Sequence, residues 1–513
     1  MIPNVFARPL LRLDAEQQQA KLILLIFFVS LIARAGVLAP GFAMDDYFVS
    51  YDDGSLGYSI FFSQGRFLHA ALFALIHAIG VNPSDVYVAF GLLAILLQAV
   101  FVVSILRFVG VDEMPGAGLV GALIAVHPYG SEILTFRMAL PGYCAGLFFS
   151  IVTLEAIIRN PSRWSNRLLA FAAMLAMAFT YQVFVNYFMV TIVFTWAFGE
   201  LASADRRALN RQRALLLAAV LLAAMAAFVA VMALSGLGVA GVETRARMIT
   251  RDMLPQRWRE IKDTLRIFYA GTEPLIAMGV KVLLWTLVGY SVLAIGTSLW
   301  RGSTWGQRAI RTAALLLVAI ALVPLSLGVV LVSQEWWPSY RVVSHLAVIG
   351  GLILLIGDHC AGPWEPRIAR RLQAVGRGLA LFAFVLVSNQ IFADQHKLNA
   401  WDMMTANRLV ARLEAHPEFR NIRFVHVDGG WGAYPAGLRT AGGNLNVSEL
   451  AVSSGKAKLL AAASGYEIQR ATGAREARGK ALCATAPTWP DSGSVKVDGD
   501  LAVICLPAEA GPR

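Results

Sequence analysis

Charge is scarce in this chain. Of its 513 residues, 15% are Asp, Glu, Lys or Arg and 57% are hydrophobic, whereas a soluble domain carries roughly 25% charged residues. One water-surrounded globule of this length is therefore excluded. Cysteine is rare, with four in all, and no His, Cys and Asp cluster has the spacing of metal ligands. A Gly-rich cradle for a nucleotide is missing, as is an internal repeat of the kind found in secondary transporters. No small-residue cleavage site follows the first apolar run, which reads as a retained span and not as a cleavable signal.

Long apolar runs fill the chain from Lys21 to Ala393, many of them long enough to cross a hydrocarbon core of about 30 Å. The fold class is an all-α polytopic membrane protein over residues 1–393, followed by a small α/β domain over 394–513. The net charge of +11 does not indicate nucleic acid, because the basic residues sit in short loops between apolar runs, where positive charge sets orientation. Arg8, Arg12 and Lys21 place the N-terminus in the cytoplasm. So do the basic loops Arg159–Arg167, Arg206–Arg213, Arg301–Arg311 and Asp358–Arg377 on their side.

The predicted spans are Leu22–Leu38, Val86–Phe108, Ala117–Val126, Met138–Ile158, Leu168–Tyr181, Val183–Phe198, Ala214–Leu237, Met278–Leu299, Ala313–Val332, Val342–Ile356 and Leu379–Phe392. These give about 11 crossings with the C-terminus outside. Phe67–Ile79 is too short to cross and is predicted to lie in the outer interface.

On this map the chemistry-bearing segments share the outer face. The first loop holds Asp45 and Asp46, then Asp52-Asp53-Gly54, which reads as a turn. Adjacent carboxylates disfavour each other's charge, and a carboxylate in a half-dry cleft suits general-base work on a sugar hydroxyl. Such a pair is also able to hold a divalent cation, although carboxylates alone are a weak metal signal. Arg66, in Gln64-Gly65-Arg66-Phe67, can fork onto a phosphate or anchor a headgroup. His127-Pro128-Tyr129-Gly130-Ser131-Glu132 and Phe136-Arg137 form the second outer loop, where Glu132 and Arg137 are either an acid and a phosphate ligand or each other's salt-bridge partner.

The loop 239–274 is basic, with Arg245 and Arg247 among its cations. It suits a polyanionic headgroup or a lipid-linked glycan; it equally suits an amphipathic interfacial helix paired through Glu260 and Asp263. Trp336 and Trp337 precede Ser339-Tyr340-Arg341; paired tryptophans favour the interface and also stack on sugars. Tyr181, Gln182 and Asn186 either pack helices or line a cleft. In the tail, Ala406–Ala415 and Lys456–Ala463 read as helix and Ile422–Val427 and Leu501–Cys505 as strand. Cys483 and Cys505 are the tail's cysteines and fit a disulfide in an oxidising compartment. Cys144 and Cys360 should stay reduced.

Asp45-Asp46 after the first span, Gly65-Arg66, His127-Pro128-Tyr129 with Glu132 and Phe136-Arg137, Tyr181-Gln182, and Ser339-Tyr340-Arg341 occur in one order before a compact tail. In that order the chain resembles the bacterial Gtr type II glucosyltransferases, membrane enzymes that decorate O-antigen, the outer part of lipopolysaccharide, or related surface polysaccharide. The resemblance implies a GT-C-like multi-span fold in the bacterial inner membrane, with a periplasmic site. It implies an undecaprenyl-phosphate glucose donor, or another polyprenyl-phosphate hexose, and a glycan or lipid-linked acceptor. It also implies inversion, with Asp45 or Asp46 as base and Arg66, Arg137 and Arg341 on the leaving phosphate. No nucleotide or other cofactor is implied. The competing expectation is a transporter or flippase of lipid-linked sugars, which would place charges deep in several spans.

Overall fold

The computed structural model describes residues 7–43, 46–47, 49, 55–235, 249–300, 304–362, 365–430, 434–452 and 455–507. Asp45, Asp52, Asp53, Arg245, Arg247 and Arg301 lie outside the described residues. The described chain is a helical bundle carrying a small mixed sheet at one end.

The bundle helices are α1 (Ala7–Arg34), α2 (Ser55–Ser63), α3 (Phe67–Ala78), α4 (Tyr87–Val109), α5 (Ala117–Ala125), α6 (Leu140–Arg159), α7 (Trp164–Ala178), α8 (Phe184–Leu201), α9 (Ala204–Leu234), α10 (Leu254–Leu265), α11 (Met278–Trp300), α12 (Trp305–Leu327), α13 (Leu346–Ala361) and α14 (Arg367–Glu414). Eight helices are long and apolar enough to cross a membrane, or nine if the bent pair around His127 is one span. The chain is a polytopic helical membrane protein. Of the other predicted crossings, α7 has 15 residues and α13 has 16, which is short for a hydrocarbon core. The short helix predicted over Phe67–Ile79 is present as α3, with 12 residues.

Two predicted boundaries fall elsewhere. The span expected from Ala214 begins ten residues earlier, because Ala204 to Arg213 continue the helix with good helix formers. The border expected at 393/394 falls inside α14, a single helix of 48 residues. At 1.5 Å per residue this rod is about 72 Å long, so it passes through the bundle and continues into the tail, where Leu409 and Leu413 join the tail's core.

The bundle has two chemically different ends. One carries paired basic residues: Arg107 with Glu155 at 2.6 Å, Arg211 with Glu200 at 2.8 Å, and Arg377 forked onto Asp358. The other carries Asp46, Glu132, Arg341 and the tail, which docks there through Asp394 of α14. Arg377 and Asp394 stand about 26 Å apart along α14, close to a bilayer's hydrocarbon thickness.

The tail adds β1 (Phe424–Asp428), α15 (Lys456–Ser464), β2 (Gln469–Arg470), α16 (Ala474–Cys483), β3 (Val495–Asp498) and β4 (Leu501–Cys505). The strand order is β2-β1-β4-β3; β1 is parallel to β2 and β4, and β3 is antiparallel to β4. Every residue of β4 is buried, as a strand sandwiched in a mostly parallel sheet requires. β2, α16 and β3 were not predicted; β2 is only two residues long and the others are short and polar. The expected disulfide is present and ties the end of α16 to the end of β4.

Closing a loop of this length restricts the unfolded tail by about 3 kcal/mol. In the full-length protein, Cys483→Ser should therefore speed hydrogen exchange of the β4 amides by about two orders of magnitude, without changing that of α4 or α6. Unchanged β4 exchange would show that packing alone holds the sheet.

Candidate functional site

At the tail-bearing end, several helices break, and each break exposes backbone groups that need partners. Asp46 follows the first span and is fully buried. Its carboxylate accepts the Ala43 N–H at 2.8 Å, the Arg137 N–H at 3.1 Å and the Met138 N–H at 2.9 Å. It thereby fastens the first loop to the turn that begins α6. Asn399 of α14 holds the same loop from the other side, accepting the Phe42 N–H and donating to the Phe42 carbonyl. Burial pushes the Asp46 carboxyl up to about 6 from 3.8, partly opposed by those three amides. Three of about four acceptor sites on this carboxylate are already filled, and none is exposed. Asp46 therefore does not fit as a divalent-cation ligand, since such ions gather six or more oxygens or keep several waters.

Glu132 lies just past the break at His127-Pro128, where the chain turns by 50°. It too is fully buried. Its partner is Arg341, which donates to it from the backbone at 2.6 Å and from the guanidinium at 2.9 Å. The expected Glu132–Arg137 pair is thus corrected. The reason is reach: the two face opposite sides of a short turn, and Arg137 turns to the first loop. The Arg341 guanidinium also lies over Phe136 at 4.2 Å and near Trp337 at 5.0 Å, cation–π contacts that add to its ion pair with Glu132.

Tyr181 neighbours Arg341 and also sits beneath the Arg66 guanidinium, 4.8 Å from its ring. Arg66 donates to Gln182 at 3.2 Å. The Gly65 before it has φ +72°, and a Cβ there would come within 2.6 Å of Met232, so the turn that aims Arg66 requires glycine. The structure thus brings together Arg66, Glu132, Tyr181, Gln182, Trp337 and Arg341.

Two predicted members stand apart. Arg137 is buried over the Tyr87 ring at 3.8 Å and donates to the Ala39 carbonyl; its Nε and Nη1 have no partner among the described residues. Trp336 turns away from Arg341. It stacks on Arg257 at 4.6 Å and donates to Thr264 at 3.1 Å, facing α10.

One group was missed from sequence. Glu273 and Lys281 form a buried ion pair at 3.1 Å, and the Tyr129 hydroxyl donates to Glu273 at 2.6 Å. Lys281 also donates to the carbonyls of Ile267 and Gly271. Burial raises the Glu273 carboxyl, while Tyr129 and Lys281 oppose the rise. The available signal was Lys281 itself, an ionisable residue inside an apolar run. Tyr129 and Lys281 line one end of an apolar cavity of about 480 Å³ between α11, α12, α13 and α14, with Phe268, Trp285, Val288 and Ile353 along it. Tyr129 packs on Tyr340, 5.1 Å between ring centres, which links the cavity lining to the residue before Arg341.

The tail closes over this end. Asp394 accepts the N–H groups of Arg439 and Thr440 and the Thr440 hydroxyl. Gly442 then lies against Pro274 and the Tyr340 hydroxyl. No protein-family model, curated protein or solved structure matches the chain.

Two outcomes follow from this geometry. Glu132→Ala leaves Arg341 nearly buried without its counter-charge and should cost about 3–5 kcal/mol in thermal unfolding in detergent, with much of it recovered by adding Arg341→Met. A loss below about 1 kcal/mol would mean that Arg341 finds another partner. For Asp46, the folded pKa lies above the unfolded one, so its stability contribution is complete below pH 3.8 and is lost as pH rises through about 6. Compared with Asp46→Asn, the wild type should lose about 3 kcal/mol across that window, read from unfolding midpoints against pH.

Proposed function

We propose that this chain is an inverting glycosyltransferase that moves a hexose, glucose by its family resemblance, from a polyprenyl phosphate to a surface glycan such as O-antigen. The observation that carries the reading is one juxtaposition. An apolar cavity between the bundle helices is lined by Tyr129, whose ring packs on Tyr340, the residue before the Arg341 guanidinium on its aromatic faces, with Arg66 across Tyr181. A substrate with a hydrocarbon tail and a phosphate head has those two needs in that order.

The orientation follows from the opposite end, where Arg107, Arg159, Arg163, Arg167, Arg211 and Arg377 gather. Positive charge marks the cytoplasmic side, so the cavity mouth and the tail face the periplasm of a bacterial inner membrane. The remaining short helices α7 and α13 and the bent pair at His127 complete about 11 passes of a GT-C-like fold.

In the reaction the acceptor hydroxyl oxygen bonds to the anomeric carbon as the bond from that carbon to the phosphate oxygen breaks. The electron pair leaves with the phosphate, and the hydroxyl proton goes to a carboxylate. Asp46 is committed to three amides, so Asp45 takes the proton and Asp46 positions it. Charge grows on the departing phosphate, where Arg66 and Arg341 stabilise it. Trp337 and Tyr181 offer faces for the sugar.

A flippase of lipid-linked sugars is the second reading, favoured by the ion pair of Glu273 and Lys281 at the head of an apolar span. Purified protein, a polyprenyl-phosphate glucose and candidate glycan acceptors separate the two. Wild type should form glycosylated product, Asp45→Asn should lose about 10²–10⁴-fold in rate, and Arg66→Ala about 10²–10³-fold. Movement of the lipid across vesicles without any sugar transfer would replace the enzyme by the flippase, and full activity of Asp45→Asn would remove it as the base.

A further inference from the structure

Helix α10 is built inside out for a protein in water. Leu254, Trp258, Ile261 and Leu265 recur at helical spacing and form one apolar stripe. A helix on a soluble protein buries such a stripe. Here Leu254 is 53% exposed and Trp258 61% exposed, and Ile261 and Leu265 are half-buried. The neighbouring stripe, Arg257, Glu260 and Thr264, is polar and faces the protein. Arg257 is buried, donates to the carbonyls of Ser333 and Gln334, and stacks on Trp336. Thr264 accepts from Trp336. On the other side of the apolar stripe stand the exposed cations Arg259, Lys262 and Arg266.

The exposed stripe does not end with the helix. It continues through Ile267, 50% exposed, to Tyr269, which packs on Trp285 of α11 at 5.6 Å. Trp285, Met278 and Val282 are exposed on the face that α11 presents outward. The apolar surface of α10 is therefore contiguous with the lipid-facing side of a spanning helix.

We propose that α10 lies flat in the headgroup region of the bilayer leaflet at the tail-bearing end, with Leu254 and Trp258 in the acyl boundary and Arg259, Lys262 and Arg266 on anionic lipid headgroups. The three sectors of the helix match the three surroundings of such a position: protein, acyl chain, and charged interface. Basic side chains there attract anionic lipid at roughly 1 kcal/mol each. Arg257 and the Trp336–Thr264 bond fix the rotation that turns the apolar stripe outward. Leu265, Tyr269 and Trp285 of this surface also line the apolar cavity, whereas Leu254, Trp258, Arg259, Lys262 and Arg266 stand outside its lining.

The test uses the full chain in nanodiscs containing anionic lipid. Trp258 emission is obtained as the difference between wild type and Trp258→Phe. It should be strongly quenched by lipids brominated near the glycerol end of the acyl chain, less by lipids brominated near the chain terminus, and little by iodide in the water. Free quenching by iodide with none by brominated lipid would overturn the proposal, as would a disulfide between two chains carrying Trp258→Cys, which would assign the stripe to a second copy. Replacing Arg259, Lys262 and Arg266 by Gln should reduce anionic lipid retained on extraction by roughly fivefold per charge, and unchanged retention would overturn the headgroup assignment. Sugar transfer is not the readout, so either result leaves the enzymatic reading standing.

Discussion

A backbone amide or carbonyl at membrane depth must find a partner inside the protein. The tail-bearing end of this bundle is where helices break, and many of the buried polar side chains there answer that constraint. Arg34 donates to the carbonyl of His127 at the broken helix. Asn186 accepts the Val329 N–H and donates to the Val342 carbonyl. Lys281 caps the carbonyls of Ile267 and Gly271, Arg257 those of Ser333 and Gln334, and Asp394 the amides of the tail loop. Removing any one leaves a desolvated group behind, which costs more than the bond contributes when made.

This division of labour separates scaffolding charge from charge left for chemistry. Asp46 spends its carboxylate on the amides of Ala43, Arg137 and Met138. Glu132 spends its own on Arg341, yet Arg341 keeps an aromatic cage on its other faces. Arg66 donates to Gln182 and lies over the Tyr181 ring. Arg341 thus combines a buried ion pair with two aromatic faces, and the rings add cation–π attraction to the pair.

Much of the architecture was legible because it follows from periodicity and charge. The apolar runs became helices, several of them extended well beyond the apolar stretch, Leu501–Cys505 became a strand with those bounds, and Cys483 found Cys505. Other features depend on contacts that no local pattern encodes. The sequence around Ala393 turns polar, which reads as a border, yet α14 runs on because its next turns bury Leu398 and Leu409 against the first loop and the tail. Glu132 offered Arg137 as a near neighbour five residues away, but its partner is Arg341, far along the chain. The pairing of Glu273 with Lys281 and Tyr129 needs a loop folded back over α11, and only Lys281 in an apolar run hinted at it. Trp336 and Trp337, adjacent in sequence, serve different neighbours because successive side chains in an irregular turn point apart.

The unbroken α14 has a consequence for how this chain tolerates change. A continuous helix couples its two ends by rotational phase: one inserted residue between Arg377 and Asp394 turns everything beyond it by about 100° and lifts it about 1.5 Å. The tail would then meet the bundle with the wrong side. Two full turns, about seven residues, restore the angle but raise the tail about 10 Å. Insertions and deletions in this stretch are therefore filtered by helical phase, and a tail exchanged between related chains would have to arrive in the same angular setting to close over Tyr340 and Pro274.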